Sequence, residues 1–165
     1  MSTRPTTDGA SRSIQPADTW DLRGRVLRPG QPLEACRLPG DEVEGAFHLG
    51  AFDSDGALLS VASFHPEAAP PCLLELFPET LTGDRSWRLR GMATAPAARG
   101  RGHGAALLRA GLTELARRGG RLLWCNARLG AVGFYVRQGM ARAGADFDIP
   151  GIGGHVVMWR ELPSG

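Results

Sequence analysis

Between His103 and Arg118 the apolar positions Leu107, Leu108, Gly111, Leu112, Leu115 and Ala116 recur at helical spacing, and Gly119-Gly120 closes the run. Apolar strand-like segments flank it: SWRLRGMATAP (86–96), stopped near Pro96, and RLLWCN (121–126). Strand, helix and strand in that order predict a right-handed βαβ crossover. Upstream, AFHLGAFD (46–53) and ALLSVASFH (57–65) surround Ser54-Asp55-Gly56, which predicts a β-hairpin.

The remaining pattern is weaker. ADTWDLRGRVLRPG reads as a helix capped by Asp18 or Thr19, with Trp20, Leu22, Val26 and Leu27 on its apolar side and Pro29-Gly30 as its stop. GQPLEACRLPGDE is an irregular connection, and 66–84 is a proline-interrupted loop with a short helix around 73–76. A helix is expected over 129–138, ending at Gly139, then a strand near 140–147, the glycine-rich loop PGIGG and a last strand HVVMWREL. Residues 1–16 are expected to be disordered or at most a short first strand, leaving 17–165 as one α/β domain with a mixed sheet flanked by helices.

Composition changes this picture little. A formal charge of +2 gives no case for nucleic acid or membrane binding. Every cation apart from histidine is arginine, so a Schiff-base lysine and a Walker A lysine are both excluded. Cys36, Cys72 and Cys125 have neither disulfide-framework nor metal-site spacing, and no metal is expected. The polar N-terminus lacks an apolar signal core, and the expected compartment is the cytoplasm.

The chemistry concentrates in RGRGHG (99–104), which leaves a strand and opens a helix. The first N–H groups of a helix have no partner within it, glycines let a ligand approach them, and the helix dipole favours an anion. Phosphate or pyrophosphate suits such a turn, with Arg99 and Arg101 adding charge. The dinucleotide fingerprint does not fit, because Gly100, Gly102 and Gly104 alternate too tightly and Asn126 stands near the acidic position. On the glycines alone, a flexible surface turn remains an alternative.

At this point the sequence resembles the GNAT acetyltransferase superfamily, whose motif Arg/Gln-x-x-Gly-x-Gly/Ala is matched by Arg99, Gly102 and Gly104. Asn126, Phe134, Tyr135 and Gly139 match a second family segment, with Met140 for the usual Phe or Leu, and the likeness spans 46–162. It implies a GNAT-like fold and acetyl-coenzyme A as acyl-donor substrate. The pyrophosphate would rest on Arg99, Gly100, Arg101, Gly102, His103 and Gly104, with Ala105 close behind. Met92 and Thr94 would pair with the pantetheine arm, and an amide near Ala93 or Thr94 would face the thioester oxygen. Asn126 would bind the pantetheine arm or order a water, and Phe134 would line the cofactor site. Tyr135, the only tyrosine, would protonate the leaving thiolate; packing like Phe134 is its plain alternative.

The family's strand glutamate is replaced here by Arg88, which cannot act as a base. Glu75, Glu79, Asp148 and His155 are the other bases open to the chain, or a water chain. Cys125, inside LLWC, reads as core rather than as an acetyl carrier. The acceptor region, roughly 22–40, 70–86 and 145–155, mixes both charge signs, and Arg88, Arg90 or Arg128 suits a carboxylate on an amino-acid-like acceptor. A small-molecule amine is the expected acceptor. A protein N-terminus or a non-catalytic acetyl-coenzyme A-binding module stays open, and the family's habit allows a homodimer.

Overall fold

The computed structural model describes residues 11–78 and 85–163. Seven strands form one mixed sheet: β1 (Arg12–Ile14), β2 (Phe47–Phe52), β3 (Leu58–Pro66), β4 (Ser86–Thr94), β5 (Leu122–Arg128), β6 (Ala141–Ile149) and β7 (Gly153–Glu161). Their order is β1-β2-β3-β4-β5-β7-β6. Only β4 and β5 pair in parallel, joined by α3 (His103–Arg117) as the periodicity predicts. The hairpin also forms as expected. Asp53 Oδ1 accepts the N–H groups of Asp55 and Ala57 at 2.9 and 2.8 Å, closing the turn between β2 and β3.

Of the two readings of 1–16, the short first strand is the one seen: Arg12–Ile14 pairs with His48–Gly50 as an edge strand; residues 1–10 lie outside the described part. The first α-helix starts after Thr19, one of its two expected caps, and a further turn precedes it. Pro16–Thr19 forms a 3-10 turn, and Asp18 Oδ2 accepts the Gln15 N–H at 2.8 Å from inside that turn. It continues as α1 (Trp20–Leu22) and a π turn, Arg23–Leu27, closed by Arg28 N–H to Arg23 O at 3.0 Å. The short helix α2 (Pro71–Leu74) lies in the long loop, and α4 (Val132–Arg137) follows β5.

Strand alternation sorts the side chains onto two faces. Leu123, Cys125 and Ala127 of β5 join Phe64, Trp87, Leu89, Leu107, Leu108 and Leu115 in the core beneath α3 and α4. Gly111 is a close-approach position there, since a Cβ would fall 2.1 Å from the Phe64 ring. Leu122, Trp124 and Val157 face the other way, packing with Leu73 and Phe77. Leu22, Val61 and Ala93 make a third cluster under α1.

A buried polar network fastens the α1 region to the sheet. Arg23 meets Asp41 with two contacts, 2.6 and 2.9 Å, and also donates to Cys36 O and to Ser63 Oγ at 2.7 Å. His48 must donate from Nε2 to Asp41 O at 3.0 Å, so its Nδ1 accepts from Ser63 Oγ at 2.6 Å.

Candidate active site

The site begins where the sheet divides. β4 and β5 lie side by side only at Ser86↔Leu122, Trp87↔Leu123 and Arg88↔Trp124. Beyond that point β4 stays with β3 and β5 stays with β7, and the two part as a fork. A bulge in β4 accompanies the parting: Val61 pairs with Ala93 and Ser63 with Arg90, leaving Ala62 opposite both Gly91 and Met92. Gly91 adopts φ +62°, and a Cβ there would fall 2.6 Å from Arg23 Nε. The bulge therefore makes room for Arg23 and reverses the strand's parity. Trp87 and Leu89 face α3 before it; Ala93 faces α1 after it.

That reversal bears on the expected oxyanion position, Ala93 or Thr94. The Ala93 carbonyl accepts from Ser60 Oγ at 3.2 Å, so its main chain is turned toward β3. N–H and C=O of one residue point to the same side in an antiparallel strand. The amides of Met92 and Thr94, not that of Ala93, consequently face the fork.

On the α3 side lies a groove of about 700 Å³, lined by Met92, Thr94, the 99–105 turn, Phe134 and Tyr135 among others. Gly100 and Gly102 both sit in the left-handed region, at φ +78° and +83°, with open space where a Cβ would project. Gly102 caps α3, and the first helical bond is Ala106 N–H to Gly102 O at 3.0 Å. The N–H groups of residues 100–105 have no backbone acceptor among the described residues, as an anion cradle requires. Gly104 faces the Phe134 ring and the Met92 sulfur.

Asn126 is not part of it. Strand parity puts Asn126 on the face opposite Cys125, in a second cavity of about 230 Å³. Arg88, Arg90, Arg128 and His155 line this cavity too, under the π turn that carries Arg23 and Arg28. The groove and the cavity share Met92, Ala131 and Tyr135. These three residues form the common wall where groove and cavity meet at the fork.

Tyr135 is 8% exposed and lies beside Cys125, whose thiol burial pushes up to about 12. Burial, and then the neighbouring Cys125, raise the phenol well beyond its ordinary value. Cys125 therefore stays a thiol, and an acetyl-carrying role is excluded by its chemistry. Of the bases considered, Glu75 and Asp148 are exposed and line neither chamber; Glu79 lies outside the described residues. His155 is 4% exposed and lines the smaller cavity. Its Nδ1 lies 2.7 Å from the Gly153 carbonyl, which can only accept, so the proton sits on Nδ1 and Nε2 keeps a lone pair.

Sequence reasoning missed the group around Arg88. Its guanidinium meets Glu67 Oε2 at 3.0 Å and lies over the Trp124 ring at 4.9 Å. His65 Nε2 approaches Glu67 Oε1 at 3.3 Å. His65 and Arg88 face each other across β3 and β4, a signal that only the pairing register supplies.

Residues 19–140 match the family described as Acetyltransferase (GNAT) family. The chain belongs to that family. It is 42% identical over 151 residues to YitI of Bacillus subtilis (strain 168), an uncharacterized N-acetyltransferase, covering 92% of this chain and 95% of the relative. Such membership makes it an acyl-coenzyme A-dependent N-acyltransferase. Its fold resembles that of a phosphinothricin acetyltransferase from Sinorhizobium meliloti solved with acetyl-coenzyme A: TM-score 0.69, 17% identity, 96% of this chain and 90% of that one. It also resembles the ribosomal-protein-S18-alanine N-acetyltransferase of Escherichia coli: TM-score 0.68, 16% identity, 92% of each chain.

Proposed function

We propose that this family member moves the acetyl group of acetyl-coenzyme A to the primary amine of a small molecule by direct attack. The observation that carries the reading is the junction of the two chambers at Met92, Ala131 and Tyr135. A donor in the groove with its pyrophosphate on residues 100–105 would bring its thioester to that junction, and an amine in the smaller cavity would meet it there. The cavity's modest volume favours a small acceptor over a folded protein. The names of the structural relatives span both acceptor types.

The residues divide the work as follows. Met92 and Thr94 offer amides to the pantetheine arm or the thioester oxygen, where negative charge develops. His155 Nε2 takes the proton that the amine loses as its nitrogen bonds the carbonyl carbon. The C–S bond then breaks and coenzyme A leaves as a thiolate. A phenol as hard to ionise as Tyr135 is a poor proton-transfer acid but a durable hydrogen-bond donor. It donates a hydrogen bond to the leaving sulfur, which accepts more strongly as charge develops on it. Water supplies the proton that finally neutralises the thiolate.

Calorimetric titration with acetyl-coenzyme A, with NAD as control, tests the reading. Micromolar binding of acetyl-coenzyme A alone, lost in Gly102→Val, followed by thiol release with a small amine, is the expected result. No binding, or binding indifferent to Gly102→Val, would refute it.

A further inference from the structure

The smaller cavity has a one-sided charge. Arg23, Arg28, Arg88, Arg90, Arg128 and His155 line it, and among the described residues no aspartate or glutamate does. Two of these cations are neutralised from behind: Arg23 by Asp41 and Arg88 by Glu67. Arg128 donates to Leu27 O at 3.0 Å. The guanidinium groups of Arg28 and Arg90 have no carboxylate within 4 Å and no hydrogen bond among the described residues.

Arg90 is half-buried, and burial followed by the Arg88 charge pushes its guanidinium down to about 10. It therefore stays charged at neutral pH while gathered with like charges in a small space. Arg23, 1% exposed, and Arg88 also keep a buried Nε with no acceptor among the described residues, too enclosed for a ligand to reach. Cations without counter-ions are costly unless a ligand completes them. An anion is the ligand that completes Arg28 and Arg90.

The described lining does not suit one large class of acceptor. A polyamine or amino-sugar cation would need carboxylates around it, and would be repelled here. We propose that the acceptor is a small amine carrying its own carboxylate, of the amino-acid type, held by Arg90 with Arg28. A guanidinium fork matches a carboxylate in two parallel hydrogen bonds, which a lysine could not supply. Position agrees with this role. Arg90 stands two residues before Met92 on β4, on the other side of the bulge at Gly91, so the anion and the reacting amine belong to one short molecule.

The assignment rests on the acyltransferase reading, and the experiment separates the two. Thiol release from acetyl-coenzyme A is measured with the full chain against amino acids, their carboxamides and the matching aminophosphonates, alongside calorimetric acetyl-coenzyme A binding. The expected result is a kcat/KM about 100-fold higher for one or more amino acids than for their carboxamides. Arg90→Gln should raise the amino-acid KM about 100-fold and leave acetyl-coenzyme A binding intact, with Arg90→Lys intermediate. Preference for the aminophosphonates would keep the anion site and overturn the carboxylate. Equal turnover of carboxamides, an unmoved KM in Arg90→Gln, or acetyl-coenzyme A binding with no anionic amine acetylated would overturn the proposal and leave the acyltransferase standing. Failure to bind acetyl-coenzyme A would instead remove the reading beneath it.

Discussion

Tyr135 and Cys125 lie beside each other at the junction of the two chambers, and each is buried enough to remain protonated. Tyr135→Phe should therefore lower kcat by about 10- to 100-fold, the worth of a hydrogen bond to a charged group. KM for acetyl-coenzyme A should hardly change. In steady-state kinetics, a loss beyond a thousandfold together with a basic limb below pH 10 would instead mark the phenol as a true proton-transfer acid.

His155 carries a different expectation. His155→Asn should cut kcat by about 100-fold or more while acetyl-coenzyme A still binds. Raising the pH should rescue part of the loss, because a larger share of the acceptor is then free amine without help. A variant that retains wild-type kcat at neutral pH would assign the base elsewhere.

Removing one member of the buried pair should be costly. In Asp41→Asn the Arg23 cation stays buried without its counter-charge, a change of about 3–5 kcal/mol. Urea unfolding should show a lower midpoint with an unchanged slope. Arg23→Met combined with Asp41→Leu should recover most of the stability, since neither charge then needs solvation.

His65 sets a pH dependence. Burial lowers its pKa beneath the ordinary 6.5, against the opposing pull of Glu67 and with the Arg88 and Arg90 charges acting in the same sense as burial. The unfolded chain therefore binds a proton first as pH falls. Stability is full above about 6.5 and declines as pH drops through the folded value. Thermal unfolding between pH 7 and pH 5 should show a falling Tm, with a shallower fall in His65→Gln.

The groove was legible because its signals are local. The turn 99–104, the helix behind it and the two strands beside it fall within one βαβ unit whose periods are plain in the chain. The smaller cavity was not, because it is assembled across long separations. Arg23 reaches Asp41, eighteen residues on, and Ser63, forty residues on. The bulge at Gly91 left no mark in the hydrophobic pattern, yet it decides which amides face the fork. Asn126 was within reach of sequence reasoning: Leu123, Cys125 and Ala127 share the core face, so strict alternation sends Asn126 to the other side.

A sheet that divides in its middle has unpaired strand edges inside the molecule, where most proteins have them only at the rim. Outer edges invite other chains to add themselves, and natural sheets must discourage such growth. Here the edge amides of β4 beyond Arg88 lie between two arms held by β3 and β7, an opening that admits a slender arm or a small amine but no second sheet. The hazard of an open ladder has become a measure of thickness. Whatever enters must be thin enough to serve as a missing strand.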